Sequence, residues 1–170
     1  MGGIAGDDFQ QEIAAAPPPP PVRIGVLAFR PKPQTLAQWL PLAAALKRVI
    51  PDREFLVQAY SYPELEAAVA GKKVDFVLTN PAHYVLLAHR RGLSAPIATL
   101  VNDEKGHAMS SFGGVIFTRS NIPDIRELSD IRNRTVAATA MDSMGGFQMQ
   151  AYELALLGIR FPTEATLLPT

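Results

Sequence analysis

Residues 61–85 read SYPELEAAVAGKKVDFVLTNPAHYV. Ser61-Tyr62-Pro63-Glu64 has the S-x-x-E spacing of a capping box, in which the first hydroxyl and the later carboxylate satisfy amides orphaned at a helix start. Leu65, Ala68 and Val69 then recur at helical spacing, and Gly71 stops the helix. Asp75-Phe76-Val77-Leu78 is a short apolar strand. Thr79-Asn80-Pro81 turns it into a second helix with Tyr84, Leu87 and Ala88 inside. His89, Arg90 and Arg91 complement the negative end of that helix before Gly92. Helix, strand and helix in such close succession predict a crossover-connected parallel sheet.

Upstream the same unit recurs. Val22 to Ala28, VRIGVLA, is an apolar run with one polar interruption and suits a buried parallel strand. Phe29-Arg30-Pro31-Lys32-Pro33 reads as an irregular turn. Leu36, Trp39, Leu40, Ala43, Leu46, Val49 and Ile50 follow helical spacing, which assigns Trp39 and Leu40 to the helix core. Pro41 predicts a kink or a fresh helix start, and Pro51 ends the helix behind Lys47 and Arg48. Phe55 to Ala59 is a second strand and Ala95 to Val101 a fourth. Such units give an open α/β layer with right-handed crossovers. Ligands bind such layers beyond the carboxyl ends of the strands, so Phe29-Arg30, Tyr60-Ser61 and Thr79-Asn80 are expected on one rim. Arg23, Lys47, Arg48, Arg90 and Arg91 read as solvated or dipole-complementing charges.

Downstream, Asn102 to Ser111 reads as a polar loop and Val115 to Arg119 as a fifth strand. Gly113 and Gly114 before it are able to absorb hinge motion. A short helix around Asp124 to Leu128 and a turn over Ser129 to Arg134 lead to residues 135–150, TVAATAMDSMGGFQMQ. Here a strand, Thr135 to Ala138, enters a small-residue turn and then a helix carrying Phe147, Tyr152, Leu154 and Leu157. Free N–H groups and the dipole at such a helix start favour an anion. Ser143 can cap the helix or bond a ligand, and Gly145 and Gly146 let backbone approach one closely. An ordinary capped helix after a buried strand is the competing reading of this stretch alone.

Composition narrows the classes. With 170 residues, 48% hydrophobic and 19% charged, the chain builds a real core. Zero formal net charge removes the electrostatic case for nucleic acid. No cysteine is present, which excludes disulfides and thiolate metal sites and suits the cytosol or a bacterial periplasm. No apolar run is long enough to span a membrane. Residues 1–21 lack the basic and apolar regions of a signal peptide and end in five consecutive prolines, an extended spacer or tail ahead of the fold.

Taken in order, these pieces resemble the phosphonate-binding (PhnD-like) periplasmic solute-binding proteins and their relatives serving as sensor domains of bacterial histidine kinases. The resemblance is carried by VRIGVLAF, the 61–85 block, SSFGGVIFTRSN, LSDIRNRTVAA and MDSMGGFQMQAYEL, over about residues 22 to 160. It implies a type II periplasmic-binding-protein fold: a parallel-sheet first lobe over 22–111, then a crossing segment and partial second lobe over 112–170. It implies a ligand pocket built by Asn80 and Tyr84, by Ser110 and Ser111 of the crossing segment, and by Ser143, Gly145 and Gly146. Phe29, Arg30 and Tyr60 would close the near side, and His107 could reach a ligand. Proteins of this type run well past 170 residues, so an N-terminal piece of a longer receptor is expected.

The same resemblance implies a small-anion sensor domain at the extracytoplasmic face of the bacterial inner membrane, coupled to a downstream kinase module. The alternative is the substrate-binding protein of an ABC permease for phosphonates or other oxyanions. Asp142 stands where phosphonate binders usually carry hydroxyls. A carboxylate facing a doubly charged ligand would repel it unless it turns away, which leaves oxyanions of sulfur and carboxylates open. No cofactor is implied. His83, His89 and His107 make no metal set, and surface or helix-end roles are expected of them. Nucleophile and phosphate-loop motifs are missing, so catalysis is not expected of this segment.

Overall fold

The computed structural model describes residues 17–169, which contain seven strands and four α-helices. Most of residues 1–21 therefore lie outside the described part. Pro17 to Pro21 are exposed and carry no helix or strand.

The first layer is a parallel sheet of order β2-β1-β3, formed by β1 (Val22–Leu27), β2 (Phe55–Tyr60) and β3 (Phe76–Leu78). Ile24 is opposite Val57 on one side and Phe76 on the other. Three helices connect and cover these strands: α1 (Lys32–Val49), α2 (Tyr62–Ala70) and α3 (Pro81–Arg91). Val26, Leu27, Leu65 and Leu87 are fully buried between sheet and helices. Gly25 lets α2 sit close on β1: a Cβ there would be 2.9 Å from Leu65 Cδ1 and 3.0 Å from Val74 Cγ1.

The capping box forms as read. Both the Ser61 amide and the Ser61 hydroxyl donate to Glu64 Oε2, at 2.7 and 2.8 Å. Lys32 reaches the same carboxylate at 2.5 Å, and together these donors hold the Glu64 carboxyl down to about 2. Gly92 takes the left-handed cap position after α3, with φ 68. Gly71 caps α2 at φ −83, and the left-handed residue there is Lys72, at φ 53. Pro41 lies inside α1 without breaking it, and the helix already starts within the expected turn, at Lys32 with Pro31 as its cap.

A small antiparallel hairpin, β4 (Asn102–Glu104) with β5 (His107–Met109), occupies what reads as a loop. The second layer pairs β6 (Thr135–Ala138) with β7 (Thr166–Pro169) in parallel. It packs with α4 (Met149–Leu156) around Ile131, Leu154, Ile159 and Ala165.

Two expected strands are not ladders. Residues 95–101 and 115–119 carry no strand assignment, and Ile97, Val115 and Phe117 are strongly exposed. Their apolar composition is strand-like, but a strand exists only with a hydrogen-bonded neighbour, and none among the described residues lies beside them. The helix expected near Asp124 is instead a 3-10 turn one step later, Leu128–Ile131. Asp130 draws it there by accepting the amides of Arg126 and Glu127, at 2.9 and 3.0 Å.

Candidate ligand-binding site

Two helix starts face one cavity. At α3 the cap is Asn80, in extended backbone geometry, whose Oδ1 accepts the His83 amide at 3.1 Å. At the second start the cap is Ser143, whose Oγ accepts the Gly146 amide at 3.0 Å. Short polar side chains suit both positions because they reach back to the third amide of the helix. A π-helical turn, Met144–Gln148, follows Ser143 and runs directly into α4. The amides of Met144 and Gly145 open that turn and have no intrahelical acceptor by geometry. Asn80, Ser143, Gly145 and Gly146 all line a cavity of about 920 Å³.

The cavity wall combines aromatic surface with hydroxyls. Phe29, Trp39 and Phe112 contribute rings, and Thr79, Ser110 and Ser111 contribute polar groups. The Tyr84 hydroxyl donates to the Ser94 carbonyl at 3.1 Å, fastening the extended run after α3 to that helix. Among the described lining residues Arg30 is the one cation and Asp75 the one carboxylate. Asp75 is already engaged, accepting from Arg23 Nη2 at 2.7 Å and Nε at 3.0 Å. That guanidinium holds the Asp75 carboxyl down to about 2. Arg23 is therefore paired with Asp75 while remaining solvent-exposed. Arg30 and two helix starts leave the cavity with a positive bias.

Of the residues expected at the site, Phe29, Arg30, Asn80, Tyr84, Ser110, Ser111, Ser143, Gly145 and Gly146 come together around this cavity. Tyr60 does not. Its ring packs over Gly25 on the α2 side of the sheet, 3.4 Å from where a Cβ would stand. His107 lies exposed on β5, outside the lining. Asp142 is half-buried and lies outside the lining, while its neighbour Ser143 lines the cavity.

Two helix residues are placed differently from expectation. Trp39 is half-buried on the cavity wall, and Leu40 is 54% exposed, so neither is core. Helical spacing names a face but not what lies opposite it. Trp39 is one turn beyond Thr35, near the carboxyl end of β1, and that position was its legible signal. His83 is fully buried, not at the surface. Its Nδ1 pairs with Thr79 Oγ1 at 2.8 Å, and its ring meets Tyr62 edge-on at 4.9 Å between centroids. Nε2 lies 3.9 Å from Glu66 Oε1 and has no hydrogen-bond partner. Burial pushes the imidazole pKa down, against the opposing pull of Glu66 and Asp142.

A parallel α/β layer whose helix starts open onto a cavity shared with a second sheet layer defines a protein that binds a small solute. The chain belongs to the family described as "ABC transporter, phosphonate, periplasmic substrate-binding protein", whose profile matches residues 24–166, and its fold is the type II periplasmic-binding-protein fold. Over 138 residues, 81% of the chain, it is 33% identical to the tetrathionate sensor histidine kinase TtrS of Salmonella typhimurium. The chain spans 23% of that relative's length. Among the described residues no helix is long and apolar enough to cross a membrane.

Proposed function

We propose that this chain is the extracytoplasmic sensor region of a two-component histidine kinase and that it binds a small anion between its two sheet layers. The observation that carries the binding role is the convergence of the Asn80 and Ser143 helix starts, with Arg30, on one cavity. Lobes over 22–111 and 112–170 would close on that ligand, and closure would bias the kinase module downstream.

The relative's name makes tetrathionate the first candidate, and the site chemistry supports it. Tetrathionate carries a sulfonate at each end of a polarisable sulfur chain. Two separate helix starts suit two anionic ends, and Met109, Met144 and the aromatic wall suit the sulfur chain between them.

A second reading follows from the family description: the same pocket in the substrate-binding protein of a phosphonate or oxyanion ABC transporter. Both readings share the site and differ in the partner, a kinase module or a permease. A thermal-shift panel of tetrathionate, thiosulfate, sulfate, methylphosphonate and succinate separates the ligands. Stabilisation that grows with concentration, as mass action requires, is expected with tetrathionate. Response to methylphosphonate alone would favour the transporter reading, and a flat response to the whole panel would sink the anion-binding proposal.

A further inference from the structure

Gly145 and Gly146, both on the cavity wall, share one peptide unit that is held at its two ends. Its N–H, on Gly146, donates to Ser143 Oγ at 3.0 Å. Its carbonyl, on Gly145, accepts from Gln150 Nε2 at 2.5 Å. A peptide is planar, so fixing its carbonyl and its N–H fixes the whole unit. Between two glycines that unit is free to flip, since neither flanking residue has a Cβ to resist rotation. The two bonds therefore set its direction. Gln150 lies outside the cavity lining, so the carbonyl is directed to a residue behind the wall.

The same glutamine carries a penalty. A carbonyl acceptor requires the NH2 end of the amide, which leaves Oε1 turned elsewhere. Oε1 is buried and has no hydrogen-bond partner among the described residues. An orphaned buried acceptor destabilises a fold, and an apolar side chain of similar length would avoid that loss. Gly114 makes room for this amide: a Cβ there would stand 1.8 Å from Gln150 Nε2 and 2.6 Å from its Cδ. The chain thus accepts an orphaned oxygen and a bare backbone at 114, and what it gains is one carbonyl held in place.

We propose that Gln150 is a positioning residue of the anion site: its amide pins the Gly145–Gly146 peptide and keeps the Gly145 carbonyl from facing the ligand. In a trans peptide the carbonyl and N–H point in opposite directions, so a flip would aim the oxygen at Ser143 on the cavity wall. There its partial negative charge would repel an anion. This role rests on the anion-binding reading above, while the pinned peptide is measurable without ligand.

Gln150→Met in the full receptor polypeptide tests it, because side-chain length is kept while the donor and the orphaned acceptor are both lost. Hydrogen exchange is followed without ligand at the Gly146 amide, on the pinned peptide, and at the Leu154 amide inside α4. Exchange at Gly146 is expected to accelerate roughly tenfold with Leu154 unchanged, and affinity for sodium tetrathionate to fall roughly tenfold. The thermal midpoint is expected to shift by no more than about 2 °C, since relief of the orphaned acceptor offsets the lost bond. Gln150→Glu sets a carboxylate against the carbonyl in alkaline buffer and a donating O–H once protonated. Its affinity, relative to wild type at the same pH, is expected to be lowest in alkaline buffer and to recover as the carboxyl takes up its proton.

Unchanged exchange at Gly146 would overturn the proposal. Acceleration extending to Leu154 with a large fall in the midpoint would do the same, since it marks a purely structural role. If wild type binds tetrathionate and Gln150→Met binds within twofold of it, the positioning role fails while the binding reading stands. If wild type binds no tetrathionate, that ligand assignment fails, and the paired exchange still decides whether Gln150 pins the peptide.

Discussion

The ring of Phe112 occupies the space that a side chain at Gly145 would need: a Cβ built there would stand 2.8 Å from Phe112 Cε2. The segment entering the second layer is thereby seated directly on the turn that opens the Ser143 helix start. Gln150 reinforces the seat by donating to the Gly145 carbonyl at 2.5 Å. At Gly114 a Cβ would come within 2.5 Å of that carbonyl and 1.8 Å of Gln150 Nε2, whereas at Gly113 it would meet nothing within 4 Å.

Gly145→Ala and Gly114→Ala are therefore expected to destabilise by about 1–3 kcal/mol each through overpacking, with weaker anion binding. Gly113→Ala is expected to be neutral in packing. Urea midpoints of the three variants check this. Equal loss at all three would refute the seating argument.

In the first layer, Leu65→Ala and Leu87→Ala are each expected to cost about 2–5 kcal/mol, since both side chains are fully buried between helix and sheet. Leu40→Ala, on the same spacing grounds a core change, is expected to stay within about 0.5 kcal/mol because Leu40 is exposed. Chemical denaturation separates these classes directly.

What was legible in the sequence was local chemistry. The Ser61–Glu64 box, the Ser143 cap and the Gly92 stop each depend on residues within one helical turn, and each forms. Strands β1, β2, β3 and β6 were legible because their apolar runs have neighbours to pair with. Runs 95–101 and 115–119 show the limit, since composition cannot supply a ladder partner. Tyr60 and Tyr62 show another. The tyrosine at the end of β2 packs over Gly25, while the one opening α2 reaches the Asn80 cap. Only the assembled geometry tells them apart, and the burial of His83 between Thr79, Tyr62 and Glu66 was hidden for the same reason.

His83 also gives the fold a pH dependence. Burial lowers its folded pKa below the ordinary 6.5, while the unfolded chain keeps the ordinary value. Between the two, the unfolded state binds more protons, so stability rises with pH. The contribution is fully present above about 6.5 and is lost as the pH falls toward the folded pKa. Glu66, on α2, and Asp142, at the Ser143 turn, face the ring and moderate the loss by favouring the cation. The Glu64 and Asp75 carboxyls, both held at about 2, act only in much stronger acid. Thermal midpoints of wild type and His83→Gln are expected to diverge between pH 5 and 7, with the slope confined to wild type (window from the ordinary imidazole range of roughly 6.5). Parallel slopes in both proteins would exclude His83 as the source.

Arg30 is exposed and lines the cavity, where the one carboxylate among the described lining residues is already held by Arg23. Its guanidinium is thus available to an incoming anion, and a planar fork can hold two oxygens of a sulfonate at once. Arg30→Gln is expected to weaken tetrathionate binding roughly tenfold and to flatten its salt dependence, because the removed term is the one that screening acts on. Arg30→Lys is expected to recover the salt dependence but only part of the affinity, since an ammonium is a point charge without the fork. Stability should change by no more than about 0.5 kcal/mol in either variant, the side chain being at the surface. Titrations at low and high ionic strength provide the check. If Arg30→Gln keeps the wild-type affinity and salt slope, the positive bias of the cavity resides in the two helix starts alone.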